Sequence, residues 1–241
     1  MKWHCLPIIS APMSFQMAFD NELFQLAKEN PVRPPVIRFY YSSEPWITVG
    51  CSFRDARDSS RSMLIKKHPH LPVAKRVSGG GCVLHGDDII FSLIIPLDQD
   101  VGRFTTTKTS YKEIHSVIAL AFQRKGFDPC FYTGGEELPK GDDCFTFPVE
   151  NDLEWGGQKI AGGAQKRSQG VLLHHESIRV PPGLSPQELI SMIRDSFTAV
   201  LKVEFEDVEL DADLYFETMY QSKEVHPSIA KALHGPSEVL I

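Results

Sequence analysis

Three consecutive glycines, Gly79-Gly80-Gly81, stand between two runs of strand-forming residues, Val73 to Val77 and Cys82 to His85. A strand rather than a helix follows the glycines, so the segment is neither a Walker loop nor a dinucleotide fingerprint. Without Cβ atoms the backbone can approach a ligand closely and offer N–H donors to an anion. Arg76, just before the glycines, can supply a planar fork to a carboxylate or phosphate. A plain glycine-rich hairpin turn is the alternative.

The surrounding pattern sets the fold class. Ser14 to Glu29 and Thr107 to Lys125 carry apolar stripes at helical spacing, the second stopped by Gly126. Ser185-Pro186-Gln187-Glu188 is a capping box opening a helix to about Leu201, and Asp211 to Ser222 reads as a last helix. Strands are expected at Val36 to Tyr41, Trp46 to Cys51, Asp88 to Pro96, Lys159 to Gln165, Val171 to Val180 and Val203 to Val208. Hairpins outnumber regular βαβ crossings. The expectation is an α+β fold with a mixed, largely antiparallel central sheet flanked by helices.

Composition narrows the function classes. The 241 residues fit one domain, and 31 acidic against 25 basic residues give a net charge of −6. That balance disfavours nucleic acid, which needs a basic stripe to displace counterions. No apolar run reaches the roughly 18 residues of a membrane span. Pro7 and Pro12 break the apolar N-terminal stretch, so it does not read as a signal peptide. Five scattered cysteines with no CxxC imply neither a disulfide framework nor a zinc ribbon, and point to a cytoplasmic protein.

Two further segments can carry chemistry. In Gly156 to Gln165, strict alternation puts Lys159, Ala161 and Gly163 on one face, leaving open space before a lysine that could oppose a developing negative charge. A solvated lysine on an edge strand is the plainer reading. Cys144 follows Asp142-Asp143, which disfavour its thiolate unless a cation such as Lys159 lies near; otherwise it is a small buried hydrophobe. His174 and His175 alternate faces of a strand, so at most one enters a given site and a metal pair is not expected.

In this order the segments resemble the lipoate-protein ligase A and octanoyltransferase family. The matching pieces are Met17 to Asp20, Pro35 to Tyr40, Ile47 to Gly50, Arg76 to His85, Asn151-Asp152-Leu153, Gly157 to Gly162 and His174 to Ile178. The resemblance implies a biotin/lipoate ligase-like fold, with 1–241 as one catalytic domain and no C-terminal accessory domain. It implies an acyl chain in an apolar tunnel beside the glycine loop, with Lys159 at the reacting end. Substrate contacts then fall to Arg76, Ser78, Gly79, Gly80, Gly81, His85, Asn151, Asp152, Gly162, Gly163 and His174.

The resemblance leaves two mechanisms. As a ligase, the protein would use ATP and Mg2+ to make lipoyl-AMP. It would then pass lipoate or octanoate to a lysine of a lipoyl domain, in a 2-oxoacid dehydrogenase or the glycine cleavage H protein. This is the favoured expectation. As a transferase, Cys144 would carry octanoate from acyl carrier protein as a thioester, with Lys159 as its partner. Three residues depart from the family pattern: Gly86 stands where an aspartate usually follows the histidine, Arg54 stands near a common glutamine, and Gly81 stands where the cysteine-using octanoyltransferases typically have an arginine. A separate accessory subunit could complete a ligase. Lys75, Arg76, Lys166 and Arg167 form the expected docking face for an acidic acceptor. A silent lipoyl-domain-binding module and a weaker cysteine hydrolase built on Cys144 with His174 or His175 stay open.

Overall fold

A computed structural model describes residues 1–53, 63–99, 102–134, 145–146 and 148–222. In chain order the elements are β1 (Lys2–Ala11), α1 (Met13–Glu29), β2 (Val36–Ser42), β3 (Trp46–Val49), α2 (Met63–Lys67), β4 (Val73–Lys75), β5 (Cys82–His85) and β6 (Asp88–Pro96). They continue with α3 (Thr107–Gln123), β7 (Cys130–Phe131), β8 (Leu153–Trp155), β9 (Gln158–Ser168), β10 (Val171–Arg179), α4 (Pro186–Leu201), β11 (Glu204–Asp207) and α5 (Ala212–Gln221).

An eight-stranded sheet runs β11-β1-β2-β6-β10-β9-β8-β7, and a three-stranded sheet runs β4-β3-β5. Only the β11–β1, β1–β2 and β3–β4 pairs are parallel, so the mixed, largely antiparallel sheet is as expected. β6 sits in the middle of the large sheet with every residue buried, which explains its unbroken apolar run. On one face, Phe91, Leu93 and Phe39 pack against α3 and α4 through Ile114, Val117, Ile118, Ile193 and Phe197. On the other, Met13 and Met17 of α1 pack with Tyr40, Trp46 and Ile90, bringing the small sheet in beside them.

The helix signals hold. Ser185 and Glu188 form the reciprocal capping box of α4, and Gly126, just past α3, has φ +82°. β1 was not legible as a strand. Pro7 removes a ladder donor, but it falls where the register of β1 against β2 shifts, between Leu6 and Ile9, and an irregularity is where a strand tolerates proline. None of the helices among the described residues is long and apolar enough to cross a membrane.

A fully buried ion pair locks α1 to the sheet. Arg38 Nη1 lies 3.0 Å from Asp20 Oδ1, and Arg38 also donates to the Gln16 side chain. The guanidinium lies 4.3 Å from the Tyr40 ring centre and 4.8 Å from that of Phe19. Asp20 further accepts from Tyr40 Oη at 2.8 Å and Ser92 Oγ at 2.5 Å. Burial pushes the Asp20 carboxyl up, but Arg38, His175 and Ser92 together outweigh it and hold its pKa at about 2.

Two outcomes follow for urea unfolding. Asp20→Ala leaves Arg38 buried and uncompensated and is expected to cost about 3–5 kcal/mol; a loss below about 1 kcal/mol would contradict this role. Because the folded pKa is depressed, the stability Asp20 contributes is present above its unfolded value near 3.9 and disappears as pH falls toward 2.

Candidate active site

A pocket opens between the large sheet, the start of α1 and the small sheet. Met13, Met17, Tyr40, Val83 and Ile90 make its wall apolar, while Lys159 and His175 bring polar groups to it. Phe145 closes the lysine end, its ring centre 5.7 Å from Lys159 Nζ and 4.4 Å from the Arg179 guanidinium.

Lys159 is buried, not solvated. Its Nζ lies 2.6 Å from Asp152 Oδ2, and that oxygen also accepts from the Val149 amide at 2.7 Å. Burial raises the Asp152 carboxyl above the ordinary carboxylate range, even though Lys159, the Val149 amide and His115 pull it down. The pair is therefore a desolvated one, its short contact made where burial raises the carboxyl.

Strict alternation fails at this point. The pairing of β8 with β9 shifts register between Leu153 and Glu154, and the Lys159 side chain lies across Gly162 rather than Gly163. A Cβ at Gly162 would collide with Lys159 Cε and Nζ. A Cβ at Gly163 would meet His174 and Glu176 instead. The adjacent glycines thus clear space for two different sets of polar side chains.

His175, not His174, faces the pocket. Its Nδ1 lies 2.8 Å from Ser78 Oγ, and its Nε2 lies 3.1 Å from Asp20 Oδ2 without the alignment of a hydrogen bond. His174 packs against Phe91 and Tyr111 on the α3 side, so a substrate contact through it does not fit this placement.

The glycine loop is braced from within. Arg76, expected as an anion fork, is buried and donates to the Gly79 and Gly81 carbonyls at 2.9 and 2.8 Å and to Thr48 Oγ1 at 3.1 Å. The Gly79 amide reaches the Gln165 carbonyl at 3.2 Å. Gly80 has φ +90°, and its carbonyl lies against Gly50 where no Cβ could fit. Gly79 and Gly80 line a neighbouring cleft with Thr107, Tyr111 and Arg167, while Gly81 lines neither.

His85 is paired with an aspartate three residues on. His85 Nδ1 lies 2.7 Å from Asp88 Oδ2, and His85 Nε2 lies 2.8 Å from Thr48 Oγ1. Burial raises the Asp88 carboxyl, but His85, Ser177 and the Gly86 amide outweigh it and depress its pKa. Asn151, with φ +75°, lies beside Asp152 and turns its carbonyl to His115.

Of the four residues expected at a docking face, Lys75 and Lys166 are exposed. Arg76 is buried, and Arg167 donates to the Phe104 and Thr106 carbonyls at 2.7 and 3.0 Å, bracing the start of α3. Lys75 donates to the Phe53 carbonyl, which leaves Lys166 as the exposed member of the four without such a bond. Cys144 and Arg54 lie outside the described residues. No described cysteine lines the pocket, and burial raises the Cys5 thiol to about 11.

Residues 12–205 match the family model described as the lipoyl protein ligase A/B catalytic domain. The chain belongs to this family. It is 31% identical to octanoyltransferase LipM of Geobacillus kaustophilus over 183 residues, covering 73% of this chain and 64% of that protein. LipM of Bacillus subtilis gives the same identity and coverage. The chain thus matches somewhat under two thirds of the length of these curated relatives. Among solved structures, lipoate-protein ligase A bound with ATP superposes with a TM-score of 0.71 at 16% identity, covering 93% of this chain and 95% of that one. A bi-partite lipoate protein ligase from Thermoplasma acidophilum gives 0.67 at 17% identity, with 95% and 97% covered. Family and structures agree on a biotin/lipoate ligase-like fold.

Both glycines are expected to be intolerant of a side chain. Gly162→Ala should displace Lys159 from Asp152 and, by leaving a buried carboxylate without its cation, cost about 3–5 kcal/mol in thermal or urea unfolding. Gly163→Ala pushes into a packed polar cluster and should cost about 1–3 kcal/mol. A loss below about 1 kcal/mol in Gly162→Ala would contradict the role of the Lys159–Asp152 pair.

Proposed function

We propose that this protein is an acyltransferase that moves an octanoyl group, through a thioester on Cys144, to the acceptor lysine of a lipoyl domain. The observation that carries this reading is the Lys159–Asp152 pair at 2.6 Å, buried at the end of an apolar pocket. Phe145, whose ring closes that end, is the next residue after Cys144 in the chain.

The chemistry uses the pocket as follows. The octanoyl chain lies along the apolar wall, with its carbonyl at the lysine end. Lys159, having passed a proton to Asp152, takes the Cys144 proton. The thiolate attacks the thioester carbonyl of an acyl carrier, forming the new C–S bond and expelling the carrier thiolate, which Lys159 reprotonates. The amine of the acceptor lysine then attacks the acyl-Cys144 carbonyl. The C–S bond breaks, an amide forms, and the amine's proton returns through Lys159 to the leaving thiolate. Lys159 as ammonium also faces the negative charge that develops on the carbonyl oxygen in both steps.

Ligation is the second reading, and the residues present fit it less well. A nucleotide triphosphate with Mg2+ needs cations and carboxylates turned toward it. Arg76 and Arg167 are spent on backbone carbonyls, Asp152 on Lys159, and Asp88 on His85 and Ser177. The relatives named octanoyltransferase LipM also support transfer.

Acceptor mass distinguishes the readings. With a lipoyl domain and octanoyl carrier protein, mass gain is expected without ATP and is lost in Cys144→Ala. Modification that requires ATP and lipoate and survives Cys144→Ala would establish ligation instead. No mass gain from either donor would favour a binding module.

A further inference from the structure

On the α3 side of β9, behind the pocket, His115 sits fully buried between two acceptors. Its Nε2 lies 3.1 Å from Glu176 Oε2, and its Nδ1 lies 2.5 Å from the Asn151 carbonyl oxygen. A neutral imidazole has one N–H and can donate to only one of them. Both contacts are made by donation only if both ring nitrogens are protonated. His174 needs no such charge: its Nδ1 can accept from Gln165 Nε2 at 3.0 Å while its Nε2 donates to Glu176 Oε2 at 2.8 Å.

Charge balance agrees. Glu176 is 1% exposed, and its Oε1 has no hydrogen-bond partner among the described residues, so its charge needs a cation nearby. Burial pushes the Glu176 carboxyl up, but the His115 charge and both imidazole hydrogen bonds hold its pKa at about 2. Burial likewise lowers the His115 imidazole, and Glu176, the Asn151 carbonyl and Asp152 together raise it above its ordinary value. Burial leaves His174 below that value. The groups facing His115 are thus Glu176 and His174 from β10, Asp152 from the turn before β8, and the Tyr111 ring at 5.6 Å on its own helix.

The Asn151 corner needs support. Its φ of +75° is a left-handed conformation that side chains other than glycine's adopt uncommonly, asparagine's more readily than most. The Asn151 amide donates to the Tyr132 carbonyl at 2.9 Å, and His115 holds the Asn151 carbonyl. Asp152, the next residue, carries the carboxylate that grips Lys159.

We propose that His115, as an imidazolium bridging Glu176 and the Asn151 carbonyl, is a positioning residue that sets the Asp152 carboxylate and through it Lys159. This inference rests on the reading of Lys159 as the proton carrier. It adds a pH-sensitive brace on the opposite face of the sheet, reaching the reacting end only through the 151–152 backbone.

The test uses the full chain. NMR titration of the His115 ring should give a midpoint above 6.5, and Glu176→Gln should lower it. Single-turnover octanoyl transfer by His115→Gln should be slower than native by about tenfold or more below that midpoint. The ratio should shrink toward one above it, where the native imidazole is also neutral. A purely structural loss would keep the ratio constant across pH, and that result, or a His115 midpoint at or below 6.5, would overturn the proposal. If His115→Gln does not fold, the native profile decides: transfer must decline through the midpoint read by NMR, and an unchanged rate there overturns it. Lys159→Ala separates the two readings. Native-like transfer by that variant removes Lys159 as proton carrier and this inference with it. Loss in Lys159→Ala with a pH-independent His115→Gln ratio overturns this inference alone.

Discussion

Space for charged groups inside an otherwise apolar sheet is the constraint on which this structure turns. At Gly162 and Gly163, β9 has no side chain on either face for two successive residues. One face receives the Lys159 stem and head, and the other receives Glu176 and His174. A Cβ at either position would displace one set, and a core as closely packed as a protein interior has little room to absorb it. The charges are also interdependent. An isolated buried ion costs several kcal/mol, whereas Lys159 is matched by Asp152, Glu176 by His115 and Arg38 by Asp20.

These matched charges also set the geometry of the pocket. Asp20 fixes α1, and α1 supplies Met13 and Met17 to the apolar wall. Asp88 fixes His85, and Arg76 holds the glycine loop by two of its own carbonyls. The polar groups around the pocket are thus committed to one another, and the cavity between them is left for an apolar chain. Such preorganisation means that little has to rearrange when charge develops in the pocket.

Much of this was legible in the sequence. Helix caps and the buried run of β6 follow from local chemistry that tertiary packing only confirmed, whereas the glycine loop is not a hairpin turn, because β3 lies between β4 and β5 in the small sheet. The ordered motifs gave the family, and Asp152, Lys159, Gly162 and Gly163 do assemble at one place. What escaped has a common cause. The face that Lys159 takes depends on a register shift that a period-two pattern cannot foresee. That Arg76 lines the pocket while turning its guanidinium to the glycine loop's own carbonyls was not visible in the sequence, and His174 and His175 could not be told apart without knowing which face met the helices. His115 and Asp20 carried one weak signal, a polar residue embedded in an apolar helical stripe, which only their partners on distant strands make meaningful.

The central claim is that Lys159 and Asp152, at the end of the acyl pocket, drive transfer through a thioester rather than through a nucleotide. Its most direct measure is the intact mass of the protein incubated with an octanoyl thioester and no ATP, followed by peptide mapping. The account predicts a single octanoyl group on the peptide containing Cys144, accumulating at least about tenfold more slowly in Asp152→Ala. Acylation that appears only when ATP is supplied, or that proceeds at the native rate in Asp152→Ala, would contradict it.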